Sequence, residues 1–200
     1  MRRIMKLAAS AFTMLALGLA VPAAAQFSDA YNFIKAVKDK DAAKVKEITD
    51  KPGNTIINSR DRDTGEAALH IVTKRGDAAW LGFLLQLGAN ANVQDGEGNT
   101  PLMMAVQSRW ADGVTIFTAI KAQVNLQNKL GETALLKAVQ NRDAFIAKTL
   151  LDAGANPDLN DNSGTSARTM AESDPRAVGI ARLLKDVPVR KARPAQGPSL

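Results

Sequence analysis

Hydrophobic and polar positions along this chain repeat with one fixed interval. Two sets of large apolar residues, one set of glycines and one set of short polar residues each recur every 33 residues. The members are Leu69, Leu102, Leu135; Leu84, Phe117, Leu150; Gly65, Gly98, Gly131, Gly164; and Asn92, Asn125, Asp158. An interval of this length is typical of stacked supersecondary units, and the apolar residues within each interval lie at helical spacing. The pattern therefore predicts an all-α fold of helix pairs that bury their apolar faces against each other.

The same spacing selects the expected core. We predict that stacking buries the apolar residues at helical positions, together with Trp80, which lies one turn before Leu84. The set is Leu69, Leu81, Leu84, Leu85, Leu102, Phe117, Leu135, Ile146, Leu150, Leu151, Leu183 and Leu184.

Capping residues mark the expected helix boundaries. Thr100 places a capping hydroxyl before Pro101 at the first helical position, and Thr133 and Ser166 occupy the same place. Ala67 stands there in the first well-matched unit, which predicts a weaker helix start, by about 1 kcal/mol. The second helices are expected to start at Asp41, Asp77, Asp143 and Asp174, and to end at Gly88 and Gly154. Lys121 stands where these glycines recur, so it must tolerate strain or end its helix differently.

Two kinds of segment recur within the units. Gly98–Ala105 (GNTPLMMA) and Gly131–Ala138 (GETALLKA) are similar to the ankyrin signature G-x-T-P-L-H-x-A. Leu84–Asn90 (LLQLGAN) and Leu150–Asn156 (LLDAGAN) are similar to its L-L-x-x-G-A-N ending. The resemblance covers about residues 58–186 and implies a solenoid of helix-turn-helix units with turn or hairpin tips. It also implies that His70, in the histidine position of the signature, supports the turns by hydrogen bonding.

Both ends of the array depart from the repeat. Residues 26–57 are predicted to form a divergent N-terminal capping unit, with a helix pair over 29–49 and an enlarged loop over 51–62. In the last unit Arg168 replaces the repeated leucine. The residues expected to give this unit a polar outer surface, as a terminal unit needs, are Arg168, Glu172, Arg176 and Arg182. Residues 187–200 have no apolar period and carry three cations, so they are predicted to be a flexible basic tail.

Residues 1–25 have the features of a secretory signal peptide. Three cations in the first six residues precede an apolar run over 7–21, and small residues before Gln26 fit cleavage between Ala25 and Gln26. The run is shorter than the roughly 20 residues of a membrane-spanning helix, so we expect cleavage rather than a retained anchor. The general secretory route fits these features better than the twin-arginine route. The product is then expected in the periplasm or outside the cell.

The net charge of +6 does not indicate nucleic-acid binding. Three excess cations lie in the first 25 residues and three after Asp186, so the predicted folded body is neutral. Binding to phosphates needs a basic stripe on the folded surface. The chain has no cysteine, which excludes disulfides, thiolate metal sites and lipid-modified cysteine anchors.

The single histidine has no catalytic constellation around it. One histidine without cysteine does not make a typical zinc site, and Asp61 and Asp63 are not placed to complete one. No nucleophile elbow such as G-x-S-x-G accompanies His70, and the turn Gly96–Gly98 lacks the Lys-Ser/Thr of a phosphate loop. We therefore predict no catalytic residue, no metal, no cofactor and no small-molecule substrate.

The resemblance implies instead a protein-binding surface, because the tips and the inner helices of such a stack line one concave face. The positions expected to bind a partner are Lys74, Glu97, Met104, Gln107, Arg109, Trp110, Lys129, Leu130, Lys137, Gln140, Arg142 and Asn162. Trp110 aligns with Asp77 and Asp143, so the core does not demand an indole there. It is either an interface hot spot or a local cover over neighbouring repeats, and the sequence leaves both interpretations open.

We expect a monomeric, non-catalytic protein-binding module of the bacterial cell envelope that serves as scaffold, inhibitor or accessory of another exported protein. The competing interpretation is a membrane-associated structural protein, held by an uncleaved N-terminal helix or weakly by the basic tail. The identity of the partner does not follow from the fold, since function resides in the surface that the fold carries.

Overall fold

The computed structural model describes the backbone of residues 23–50 and 55–189 and the side chains of 29–50 and 55–189. This part of the chain contains ten α-helices and two short 3-10 helices, and no strand. The α-helices are α1 Ala23–Asp39, α2 Ala42–Thr49, α3 Ala68–Lys74, α4 Ala78–Gln86, α5 Pro101–Gln107, α6 Ala111–Ala119, α7 Ala134–Gln140, α8 Ala144–Asp152, α9 Ala167–Ser173 and α10 Val178–Lys185. The 3-10 helices are Ile56–Asn58 and Pro175–Ala177. Most of the predicted signal peptide and of the predicted basic tail lies outside the described residues.

The helices form five consecutive pairs that stack in chain order. We number these pairs units 1 to 5, from α1–α2 to α9–α10, and call the first helix of each pair inner and the second outer. Each inner helix contacts the inner helix of the next unit, from α1 through to α9, and the outer helices α6, α8 and α10 also contact in sequence. This arrangement confirms the predicted all-α solenoid.

The stack buries the residues that the repeat brings together. Leu69, Leu102 and Leu135 are each at most 1% exposed, in the centres of three successive inner helices. The other predicted core residues that are buried are Leu81, Leu84, Phe117, Ile146, Leu150 and Leu184. Leu85, Leu151 and Leu183 are only partly buried. The main core is therefore continuous across the units, as predicted.

The prediction that Trp80 belongs to the core is only partly right. Its ring is half-buried and lies edge-on to Phe83, with the ring centroids 5.3 Å apart. The guanidinium of Arg75 lies over the indole, 5.8 Å from its centroid, where a cation is attracted by the negative face of the ring. Trp80 thus covers the edge of unit 2 instead of filling its centre.

The predicted capping residues start their helices. The hydroxyls of Thr100, Thr133 and Ser166 accept hydrogen bonds from backbone N–H groups three residues further on. Carboxylates cap the second element of four units. Asp41, Asp77 and Asp143 accept from the N–H three residues on, and Asp174 accepts from that of Arg176, two residues on. Asp174 caps the 3-10 helix that leads into α10. Ala67 makes no such bond, because its methyl side chain has no atom that can accept one.

Left-handed backbone conformations follow the outer helices. Gly88 and Gly154 have φ of 86° and 89°, as predicted for residues that end a helix. Lys121 takes the same place with φ of 59°. Of the two alternatives left by the sequence, the chain therefore adopts the strained one at Lys121.

The ends of the stack correct two predictions. Helix α1 begins at Ala23, six residues before the predicted start, and the cleavage between Ala25 and Gln26 stays a prediction. Arg168 was expected on a polar outer surface, but its side chain is only 13% exposed. It forms an ion pair with Asp158 at 2.6 Å and donates to the carbonyl oxygen of Val187 at 3.0 Å. Arg168 therefore holds the chain that follows α10 instead of facing solvent.

Candidate protein-binding face

The turns before the inner helices, which we call tips, form a ladder along one side of the stack. The tips of units 3, 4 and 5 each donate one backbone hydrogen bond to the tip before them. The bonds run from Gly96 N to Thr64 O at 3.1 Å, from Lys129 N to Glu97 O at 3.0 Å and from Asn162 N to Leu130 O at 2.9 Å. Equivalent atoms are thus joined at every step, and the tips form one continuous edge.

Glycine is required where neighbouring tips touch. Gly65, Gly98 and Gly131 have φ between 70° and 82°, a region that other residues rarely adopt. A Cβ on Gly98 would lie 2.9 Å from the backbone nitrogen of Lys129, and one on Gly65 would lie 2.5 Å from that of Gly96. The repeated glycines that define the period in the sequence therefore permit the close approach of successive tips.

Side-chain amides reinforce the ladder. The Nε2 group of Gln94 donates to the carbonyl oxygens of Gly98 at 2.8 Å and Gln127 at 3.0 Å. Gln127 repeats the pattern one unit on, with bonds of 2.6 Å to Gly131 O and 2.8 Å to Asn160 O. Because these bonds satisfy the backbone between units, the tips present a pre-formed surface to solvent.

His70 joins unit 2 to unit 3. Its ring is fully buried, with Nδ1 accepting from the backbone N–H of Ala67 at 3.1 Å and Nε2 lying 2.9 Å from the carbonyl oxygen of Asn99. The role that the resemblance implied for this residue is thus confirmed. Burial is the main influence on its pKa and lowers it below the usual value. The neutral ring, with its proton on Nε2, satisfies both neighbours.

Most of the residues predicted to bind a partner are exposed. These are Lys74, Glu97, Gln107, Arg109, Lys129, Leu130, Gln140, Arg142 and Asn162. Leu130 is 63% exposed at the tip of unit 4, where an apolar side chain has no neighbour to cover it. Their exposure permits contact with another protein, and binding by them stays a prediction.

Three of the predicted residues are less accessible than expected. Met104 is only 9% exposed. The side chain of Lys137 is 12% exposed and pairs with Glu132 at 2.6 Å. Burial raises the pKa of Glu132, but hydrogen bonds from Gln140, Lys137 and Asn128 outweigh it, so the pKa lies below its usual value. The charge of Lys137 is therefore compensated within the protein.

Trp110, the third of these residues, is half-buried against its own helix. It takes the capping position of α6 without making a side-chain cap, and a Cβ on Gly113 would lie 2.1 Å from an atom of its ring. Position 113 corresponds to Trp80 and Ile146 in the neighbouring units, where a large side chain fills the same place. The indole of Trp110 thus fills the space that Gly113 leaves, which favours the local-cover interpretation over the hot spot.

A groove crosses the face between units 2 and 3, with a volume of about 540 Å³. Four of the predicted residues line it, namely Lys74, Glu97, Met104 and Gln107. The lining residues that the sequence interpretation missed are Asp63, Thr64, Glu66, Asp95, Gly96 and Asn99. They all lie within five residues of Gly65 or Gly98, so their position in the tips was the available signal. Since carboxylates outnumber cations, the groove carries negative charge.

The described residues offer little for other chemistry. No group of three or more His, Asp or Glu side chains within them is placed to hold a metal ion. None of the helices among residues 23–50 and 55–189 is both long and apolar enough to cross a bilayer.

Comparison with known proteins matches most of the stack. A family model for ankyrin repeats, in three copies, matches residues 33–128, and a model for a single ankyrin repeat matches residues 130–162. An ankyrin repeat protein of Acanthamoeba polyphaga mimivirus is 34% identical over 64 residues, which is 32% of this chain. The chain spans only 9% of the length of that viral protein. The first family match begins inside α1, so it includes the divergent opening unit.

The buried histidine predicts a specific dependence of stability on pH. Because folding lowers its pKa, the unfolded chain takes up a proton below about the ordinary value of 6.5 that the folded chain resists. The free energy of unfolding should therefore fall as pH drops from about 7.5 to 4.5, in thermal or urea melts. His70→Met, which copies Met103 of unit 3, should flatten this slope whatever its effect on stability at neutral pH.

The carboxyl groups whose pKa folding lowers have ordinary values of 4.5 or below, at or under the lower edge of that window, and both proteins carry them. The amine of Lys38 hydrogen-bonds Asp61 and lowers its carboxyl pKa to about 2, and the backbone N–H of Arg176 followed by the side chain of Arg142 does the same for Asp174, also to about 2. Their contribution to stability is lost only as pH falls below the ordinary value of 3.8. If the unfolding free energy of the native protein and of His70→Met fell equally with pH above 4.5, the assignment to His70 would be contradicted.

The contact between Trp110 and Gly113 predicts a coupled pair of substitutions. Trp110→Ala should lower the unfolding free energy by about 2 kcal/mol, since it removes a half-buried ring from the space beside Gly113. Gly113→Ala should destabilise the native protein by forcing the indole away. In the Trp110→Ala background, however, Gly113→Ala should be neutral or stabilising, because alanine favours the helix. A double-mutant cycle measured by urea unfolding tests this, and additive effects would show that the two residues do not share the space.

Proposed function

Because the chain belongs to the ankyrin repeat family, whose members generally mediate protein–protein interaction and are typically non-catalytic, we propose that it is a protein-binding module of the bacterial cell envelope. It acts there as a scaffold, inhibitor or accessory of another exported protein. It works as a monomer, without a cofactor or a small-molecule substrate. The partner contacts the concave face and the tips.

The observation that carries this proposal is the exposed surface on a rigid ladder. Backbone groups of the tips are already bonded to each other, so binding costs little ordering of the chain. Glu97, Lys129 and Leu130 project from consecutive tips, and Gln107 and Gln140 extend the surface along the inner helices. These side chains offer charge, amide and apolar contacts within one face.

The envelope location is supported by the sequence of residues 1–25. Their cations, apolar run and small residues before Gln26 are the features of an exported protein. A chain without cysteine also suits an oxidising compartment. The alternative, a structural protein retained at the membrane by its N-terminus or its basic tail, predicts a different product in cells.

Site-specific cross-linking tests the binding face. A benzophenone amino acid placed at Gln107 or Leu130 should capture the same protein in intact cells, because both positions are exposed on the proposed face. The matched control is Thr115, which is exposed on the outer helix α6 and should capture much less. Leu130→Ala should reduce capture at Gln107 several-fold, since an exposed apolar anchor is lost, without lowering the melting temperature. Equal capture at all three positions, or none at the two facial ones, would refute the proposed face.

The location is tested by fractionation with N-terminal sequencing. Export with cleavage should give a product in the periplasmic or extracellular fraction that begins at Gln26. A full-length protein in the membrane fraction would instead support the membrane-associated alternative. The same preparation, run on a sizing column with light scattering, should show a monomer.

A further inference from the structure

Two large apolar side chains lie exposed near the starts of neighbouring outer helices. Phe145 in α8 is 65% exposed, and Val178, 33 residues later in α10, is 48% exposed. The two helices touch beside them, since a Cβ on Gly179 would lie 3.8 Å from the Cβ of Ala144. These four exposed residues, Ala144, Phe145, Val178 and Gly179, form a surface that we call the outer patch. It belongs to the outer helices, away from the tips.

Stacking does not require large side chains at these positions. The equivalent residues of units 2 and 3 are Ala79 and Asp112, which are also exposed. The repeat is therefore satisfied by a small or a charged residue here, and the apolar pair adds nothing to the core. Phe145 and Val178 thus place two exposed apolar side chains at equivalent positions of adjacent units, where the stack itself does not call for them.

Three arginines flank the residues of the outer patch along the chain. Arg142 and Arg176 both bond Asp174, at 2.7 and 3.2 Å, with side chains 40% and 73% exposed. Arg182 lies one turn after Val178 on the exposed side of α10. The nearby carboxylate of Asp143 caps α8 through the N–H of Ile146 at 2.9 Å. Arg142 and Arg176 share the charge of Asp174, so these three guanidinium groups and two carboxylates leave one net positive charge beside the patch.

We propose that the outer patch is a second docking site, for an acidic amphipathic helix of another protein. The apolar residues of the partner helix pack on Phe145 and Val178. Carboxylates one turn away on the same partner helix pair with the guanidinium of Arg182 and with the neighbouring arginines. Arginine beside an aromatic anchor is the composition found at the energetic centres of interfaces. Charge decides against a second copy of this chain, because a symmetric pairing would oppose the same arginines.

Selection of peptides by display tests the proposal. A random library of sixteen-residue peptides is selected on the full chain and counter-selected on Phe145→Asp, which copies Asp112 of unit 3. The enriched peptides should combine apolar residues three or four positions apart with an excess of Asp and Glu. Their affinity should fall about tenfold on Phe145→Ala and measurably on Arg182→Gln, with binding weakened by salt.

The controls separate binding from folding. Phe145→Ala should leave the melting temperature nearly unchanged, since the ring is mostly exposed. Ile120→Ala removes another exposed apolar side chain, 46% exposed at the far end of an outer helix, and should not alter peptide affinity. Arg142, beside the outer patch, is also in the set predicted for the concave face, but Phe145, Val178 and Arg182 are not. The result of the Phe145 and Arg182 substitutions therefore does not depend on the function proposed above.

Four outcomes would overturn the proposal. The first is a selection that yields no peptide dependent on Phe145, and the second is a set of such peptides without an acidic excess. The third is a dimer of the full chain, seen by sedimentation, that Phe145→Asp abolishes. The fourth is binding to vesicles of phosphatidylglycerol and phosphatidylcholine that requires Phe145, which would make a lipid surface the occupant.

Discussion

Successive units meet backbone to backbone at their tips, and the rest of the stack depends on this contact. A hydrogen bond such as that from Lys129 N to Glu97 O forms only if neighbouring tips lie within backbone contact of each other. The absence of a side chain at Gly98 makes that approach possible. Once the tips are fixed, the inner helices that follow them are held at one spacing, and Leu102 and Leu135 meet in the core. The 33-residue interval in the sequence therefore reflects the same contact between tips, repeated from one unit to the next.

A repeated contact leaves an unsatisfied face at each end, and the last unit resolves this with a charge. At the place where Leu69, Leu102 and Leu135 pack against the next inner helix, unit 5 carries Arg168. No further helix pair follows among the described residues, and the side chain at this place is covered by the end of α10 and the residues after it instead of by another inner helix. Arg168 pairs with Asp158 and donates to two carbonyl oxygens, that of Leu184 within α10 and that of Val187 after it. The charge is largely buried but fully partnered, which avoids the cost of an isolated ion.

The sequence predicted those features that depend on one unit alone or on the period itself. Helix caps such as Thr133, left-handed glycines such as Gly154 and the buried leucines all follow from local chemistry or from the interval of 33 residues. The accessibility of Met104, Lys137 and Arg168 did not follow, because it depends on which groups turn towards these side chains once the turns and helices have folded. Lys137, for example, is covered once Glu132 turns towards it. The acidic groove between units 2 and 3 was missed for the same reason, since its two walls belong to different repeats.

A residue that differs from the repeat has to be considered together with the residue it contacts in the adjacent unit, because adjacent units contact at equivalent positions. Lys40 bonds the capping carboxylate of Asp77, and Arg142 bonds that of Asp174, so a cation in one unit meets the cap of the next.

Between units 2 and 3 this ion pair is missing on both sides. Gly76 stands where Arg142 stands in unit 4, and Trp110 stands where the other units have the capping aspartate, so neither leaves an unpaired charge. A second compensation joins Trp110 to Gly113. An unusual residue with such a partner is explained by packing, even when it is a tryptophan. Phe145 and Val178 have no compensating change and stay exposed, which is why function is better sought in them than in Trp110.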